Sequence, residues 1–172
     1  LKSKKGINLP ETHLKNSALT SSDKKNVKAG IKLGVDWIAL SFIQSPKDIK
    51  DLRKICKNIS IMAKIEKPTA LNYINEITKL ADGLMIARGD LGVELPIQDV
   101  PGWQKKIIRE ARILGKPVVV STQMLESMIT SKTPTRAEVS DVATAVFEGS
   151  DAVMLSAESA IGENPESAVQ MM

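Results

Sequence analysis

Aromatic side chains make up only 3% of this 172-residue chain. Its core must therefore be aliphatic, built from Ile, Leu, Val, Ala and Met. The stacking platforms of single-strand nucleic-acid binders are missing as well. One cysteine, Cys56, leaves no internal disulfide to form and suits a reducing compartment. With His13 the only histidine, zinc ligands are too few. No apolar run approaches the roughly 20 residues of a membrane helix, so no membrane span is expected. No basic-then-apolar leader opens the sequence, and the expected location is cytoplasmic. The net charge of +4 comes largely from scattered lysines such as Lys2, Lys4, Lys5, Lys24, Lys25 and Lys28. These read as solvated helix faces and not as a basic stripe for nucleic acid.

What the chain does have is a repeated unit. Apolar strand candidates are Val35–Phe42, Ile59–Ile65, Gly83–Ala87, Pro117–Ser121 and Ala152–Ser156. Each is followed by apolar residues at helical spacing: Ile49, Leu52, Ile55 and Cys56 in one helix, Leu71 to Leu80 in the next. Trp103 to Leu114 and Val139 to Phe147 supply two more. Ser45-Pro46 is a cap followed by a first-turn proline, and Gly34, Gly83, Gly115 and Gly149 stand where helices end. Near-continuous apolar strands predict a parallel sheet covered on both faces. Strand–helix alternation fits either an open doubly wound sheet or a (β/α)₈ barrel. Polar groups end nearly every strand, which favours the barrel rim. A full barrel takes about 250 residues, so the expected fold is the later five strand–helix units of one, truncated at both ends. The stretch Asn164 to Met171 reads as a newly started helix, so a piece of a longer protein is expected.

The chemistry concentrates at two strand ends. Lys64 and Glu66 are two apart and so share one side of their strand. Asp90 ends the next strand, parallel to the first. Lys64 and Glu66 are either a structural ion pair or part of a hard-cation site completed by Asp90, with Mg²⁺ the natural occupant. Arg88-Gly89-Asp90-Leu91-Gly92 reads as a tight strand-to-loop turn, either ordinary or one whose N–H groups approach an anion. Thr122 and Ser156 end two further strands; each could bond a substrate, pass a proton or cap the following helix.

Several blocks then resemble the pyruvate kinase family. They are Met62-Ala63-Lys64-Ile65-Glu66-Lys67-Pro68 and Ile86-Ala87-Arg88-Gly89-Asp90-Leu91-Gly92-Val93-Glu94, followed by Thr122-Gln123-Met124-Leu125-Glu126-Ser127-Met128. Pro134-Thr135-Arg136-Ala137-Glu138 and Asp151-Ala152-Val153-Met154-Leu155-Ser156 come after these. Lys4-Lys5-Gly6-Ile7-Asn8-Leu9-Pro10 is similar to the family's return into the barrel from its lid domain. The resemblance divides the chain into that return, 1–20, and five strand–helix units, 21–172. It departs from the family at Ala157 and Ser159, within a usual Ser-Gly-Glu-Thr-Ala, and at Thr144 and Ile161.

The resemblance implies a TIM-barrel phosphotransferase of glycolysis that moves a phosphoryl group from phosphoenolpyruvate to ADP, giving pyruvate and ATP. It implies Mg²⁺ held by Glu66 and Asp90, and K⁺ bound by residues upstream of this chain. Lys64 would stabilise the phosphoryl group and the enolate. Backbone at Ala87, Gly89 and Asp90 would hold the substrate carboxylate. Thr122 would sit over the enolate carbon, Ser156 would belong to a proton relay, and Lys5 would reach nucleotide phosphates. A homotetramer is implied for the full-length protein, and inactivity for this chain alone. The competing expectations are a metal-dependent pyruvate-enolate lyase on a related barrel, which would give Lys64 no phosphoryl group to act on, and an inactive assembly surface.

Overall fold

The apolar runs resolve into one parallel sheet. The computed structural model describes residues 18–172, so Lys5 and His13 lie outside the described residues. Five strands, β1 (Trp37–Leu40), β2 (Ser60–Ile65), β3 (Gly83–Ala87), β4 (Val118–Ser121) and β5 (Ala152–Met154), pair in sequence order, every pair parallel. A doubly wound sheet would reverse its order at a switch point. Steady advance with right-handed crossovers instead stacks the connecting helices on one face, as in a barrel wall. Among the described residues the wall is open, with β1 and β5 as its edges.

The described helices are α1 (Ser21–Leu33), α2 (Pro46–Arg53), α3 (Pro68–Leu71), α4 (Ile74–Leu80), α5 (Arg88–Glu94), α6 (Val100–Ile113), α7 (Arg136–Glu148), α8 (Ala157–Ala160) and α9 (Pro165–Met171). None is long and apolar enough to cross a membrane. Side chains fix the starts. Thr20 and Asp23 form a reciprocal capping box on α1, and Thr135 and Glu138 form one on α7. Left-handed glycines fix two ends, Gly34 at φ 77° and Gly149 at φ 99°.

The register separates the two faces. Ile61, Ala63, Ile65, Leu84, Ile86, Val118 and Val120 point to the helices and are fully buried. Ala39, Met62, Gly83 and Lys64, Met85, Val119 align on the opposite face. That face is only partly covered: Trp37 is 42% exposed, and Met62, Met85 and Val119 are half-buried. The expectation of two covered faces is therefore corrected to one, because the five strands present only the outer, helix-clad side of a wall.

Other elements also differ from expectation. The strands are shorter at their ends. Helix α2 stops at Arg53, so Ile55 and Cys56 fall in the turn beyond it. Cys56 is buried there with its thiol donating to the Leu52 carbonyl at 3.2 Å, and burial pushes its pKa up. The run from Leu71 to Leu80 breaks at Tyr73 into α3 and α4. Gly83 begins β3 and ends no helix, whereas Gly34, Gly115 and Gly149 take positive φ. Arg88-Gly89-Asp90-Leu91-Gly92 is helical, the start of α5. Helix α1 lies in a stretch where lysines dilute the apolar signal, with Val27 its one buried residue.

Candidate active site

The polar strand ends collect at the C-terminal rim of the sheet. Lys64, next to last in β2, aligns with Met85 of β3. Its ammonium donates to Ser41 Oγ at 3.0 Å and lies 2.6 Å from Glu66 Oε1. Glu66 is 1% exposed. Its Oε2 accepts the Phe42 N–H at 2.5 Å, while Oε1 accepts no directional hydrogen bond. A buried carboxylate oxygen without a proper donor is costly unless a cation stands beside it. Lys64 is one such cation, and the oxygen retains room in its bonding for another.

Phe42, whose N–H reaches Glu66, sits at φ 54°. Left-handed backbone is a true outlier for a bulky residue. The same holds for Thr122 at φ 69° and Gln123 at φ 54°, just beyond β4. All three non-glycine residues of positive φ among those described therefore lie at strand ends on this rim. Strain of this kind persists only where surrounding contacts over-determine it.

Beyond β3 the chain passes directly into α5. Ala87 is buried and precedes the helix, and Gly89 and Asp90 fall in its first turn. Extending the β2–β3 register by one step sets Glu66 beside Ala87. The Asp90 carboxylate belongs to an exposed residue. The Gly89 N–H donates to Thr122 Oγ1 at 2.7 Å, and Thr122 Oγ1 in turn donates to the Ser121 carbonyl at 2.6 Å. The structure thus joins the ends of β3 and β4 through Gly89 and Thr122. It joins the ends of β1 and β2 through Ser41, Phe42, Lys64 and Glu66.

Ser156 stands apart from these two groups. Its N–H donates to Glu158 Oε2 at 2.8 Å, and Glu158 Oε1 accepts the Leu125 N–H at 3.2 Å. The buried Glu158 therefore braces the end of β5 against the loop after β4. Lys67 and Glu94 form a mostly buried pair at 2.5 Å that ties α5 to the turn after Glu66.

Sequence reasoning missed Arg88 as a side chain of consequence. It is 8% exposed and bonds carbonyls of the β4 loop and the carboxylate of Asp141. The one available signal was a guanidinium directly after a fully buried strand, which demands a carboxylate partner. Glu138 was likewise read only as part of a motif. It caps α7 and also accepts the N–H and hydroxyl of Ser127 at 2.7 and 2.6 Å. Burial pushes its carboxyl up, but the bonds from Ser127 and Thr135 outweigh that and hold its pKa at about 2.

The chain matches the family model described as "Pyruvate kinase, barrel domain" over residues 1–169. It belongs to the pyruvate kinase barrel family. It is 58% identical over 173 residues to the pyruvate kinase of Methylorubrum extorquens, covering all of this chain and 36% of that protein. A pyruvate kinase of Agrobacterium vitis is 56% identical with the same coverage. "Pyruvate kinase 2" of Synechocystis is 50% identical, with 30% of it covered. The chain thus spans about a third of the length of the curated relatives it matches. The parallel wall of five strands agrees with a segment of a pyruvate kinase barrel.

Proposed function

We propose that the full-length protein containing this chain is a pyruvate kinase, transferring the phosphoryl group of phosphoenolpyruvate to ADP. The observation that carries the reading is the Lys64 ammonium, held between Ser41 Oγ and the buried Glu66 at the end of β2. Such a fixed cation suits a reaction governed by positioning and charge neutralisation. The bond from phosphorus to the enolate oxygen breaks, and a bond from phosphorus to a terminal ADP oxygen forms. The enolate left behind takes a proton at carbon and becomes pyruvate.

The donors present fit a hard divalent cation, Mg²⁺ in our reading. Glu66 keeps a buried oxygen that accepts no directional hydrogen bond and has only the Lys64 ammonium beside it, and Asp90 adds a second all-oxygen donor. Among the described residues no three or more Asp, Glu, His or Cys side chains group as a metal site. Two carboxylates leaving room for water and substrate oxygens is the usual Mg²⁺ arrangement. When bound, the ion would offset negative charge on the substrate oxygens.

The chain's own residues divide the remaining work. Lys64 neutralises the phosphoryl group in transit and then the enolate oxygen. Backbone at Ala87, Gly89 and Asp90 holds the substrate carboxylate, for which Gly89 must share or release the bond it now gives Thr122. Thr122 lies over the enolate carbon, and Ser156 belongs to the chain of groups that returns a proton. Lys5 contacts nucleotide phosphates, and K⁺ is held by the part of the protein outside this chain. Residues 1–20 return from a lid domain, and 21–172 form the barrel segment. We read the whole as a cytoplasmic homotetramer with small-molecule substrates and neither nucleic acid nor membrane as partner. A lyase would leave the Lys64 ammonium without a transferring group to serve, so that reading is not adopted.

The test is Lys64→Met in the full-length enzyme. Phosphoryl transfer to ADP should fall by about 10²-fold or more, the scale for losing one electrostatic contact to the transition state, while the fold melts within a few degrees of wild type. Transfer at the wild-type rate would overturn the proposal.

A further inference from the structure

We propose that Arg88 is a positioning residue for the proton-transfer half of the reaction, acting by forcing Thr122 into its left-handed conformation. The inference rests on the pyruvate kinase reading of this site and adds a residue to it.

Thr122 and Gln123 are consecutive and both left-handed. For an L-residue each such conformation costs roughly 1–2 kcal/mol, and β-branched Thr is poorly suited to it. Glycine would take the turn without strain, yet the chain carries a threonine whose hydroxyl faces the start of α5. Something must hold it there.

Arg88 is what holds it. Its Nε donates to the Thr122 carbonyl at 3.1 Å, and Nη2 donates to the same carbonyl at 2.8 Å. Nη2 also donates to the Gln123 carbonyl at 2.8 Å. The two carbonyls of the strained turn are thus bound by one rigid, planar fork. The fork has its own anchor: Nη1 donates to both oxygens of Asp141 on α7, at 2.8 and 2.7 Å, with Gln104 Oε1 of α6 at 3.4 Å. The neighbouring Gly89 N–H grips the Thr122 hydroxyl from the other side. A Cβ at Gly89 would come within 3.3 Å of that hydroxyl oxygen, so the approach is already close.

Backbone and hydroxyl of Thr122 are therefore set by two successive residues at the N-terminus of α5, the helix that also bears Asp90. The Arg88 guanidinium bonds Gln104 of α6 and Asp141 of α7 and makes no hydrogen bond to Lys64 or Glu66. Its influence on chemistry therefore runs through Thr122. Lysine could supply the charge, but its three donors radiate from one nitrogen and cannot span two carbonyls and a carboxylate as the planar fork does.

The test uses the full-length enzyme carrying Arg88→Lys, Thr122→Ala or both. The readout is exchange of the pyruvate methyl protons with D₂O, followed by NMR with MgATP present. This exchange passes through the enolate without net turnover. Arg88→Lys should slow it about tenfold, as expected for directly coupled residues. Mn²⁺ affinity, measured by water-proton relaxation, should stay within twofold. In the Thr122→Ala background the same Arg88→Lys change should add less than twofold, since the group it acts through is already gone. Should Arg88→Lys fail to fold, Asp141→Asn loosens the anchor while keeping the fork, and the same non-additivity is expected. Losses that multiply in the double variant, or exchange at the wild-type rate in a folded Arg88→Lys, overturn the proposal alone. A wild-type enzyme unable to phosphorylate ADP from phosphoenolpyruvate overturns the parent reading and this one with it.

Discussion

A carboxylate as deeply buried as Glu66 survives only because its surroundings supply positive potential. The Phe42 N–H engages one oxygen and the Lys64 ammonium stands against the other. The strain at Phe42 has the same origin, since its left-handed backbone is what aims that N–H at Glu66. Single atoms matter elsewhere on the rim as well. A Cβ added at Gly162 would lie 2.2 Å from the Glu158 carbonyl oxygen, a clash with backbone that no rotamer relieves. Glu158 braces Ser156 and Leu125, so the displacement would reach the β4 and β5 ends. Gly162→Ala should cost about 2 kcal/mol, within the range for overpacking, read as a lowered urea midpoint at unchanged slope. A midpoint equal to wild type would show that the α8 turn yields freely.

Among the elements, α7 is the one whose start depends most on charge. The pKa of Glu138 is lowered to about 2, whereas an unfolded glutamate titrates near 4.3. Its contribution is therefore complete above about pH 4.3 and is lost as the pH falls towards 2. Because this carboxylate is partly exposed, screening leaves a contribution on the order of 1 kcal/mol. Thermal melts of the full-length enzyme and of Glu138→Gln should converge between about pH 4.5 and 2, with wild type losing the more. Parallel curves over that window would remove Glu138 as the acid-sensitive group. The elements also show what a sequence reveals. All five strands were legible as apolar runs, because burial against the helices needs them continuous. Helix α5 was not, since two glycines in Arg88 to Gly92 mimic a turn; it forms because Arg88 and Lys67 anchor it by long-range contacts. Helices α3 and α4 read as one because their apolar spacing carries across Tyr73. At the site, Lys64 and Glu66 were legible from an i, i+2 spacing. The Arg88 clamp was not, since Thr122, Gln123 and Asp141 lie 34 to 53 positions further on.

At the scale of the molecule, the two faces of the sheet have opposite characters. The helix side is closed by aliphatic residues and the other side leaves Trp37, Met62, Met85 and Val119 partly open to water. The 172-residue chain, prepared alone, should accordingly bind 1-anilinonaphthalene-8-sulfonate and show red-shifted tryptophan emission relative to the full-length protein. A chain that binds no dye would have to cover that face by itself.

The strand order carries a kinetic consequence. Each strand finds its neighbour in the strand–helix unit synthesised just before it, so no pairing waits for a distant segment. At the usual ribosomal pace of about 5–20 residues per second, a unit of some thirty residues emerges every few seconds. Helix formation takes about a microsecond, so each unit's helix is formed long before the next unit emerges. The edge exposed at any moment during translation is then a single strand wide, and the nascent wall can lengthen in register from one end to the other.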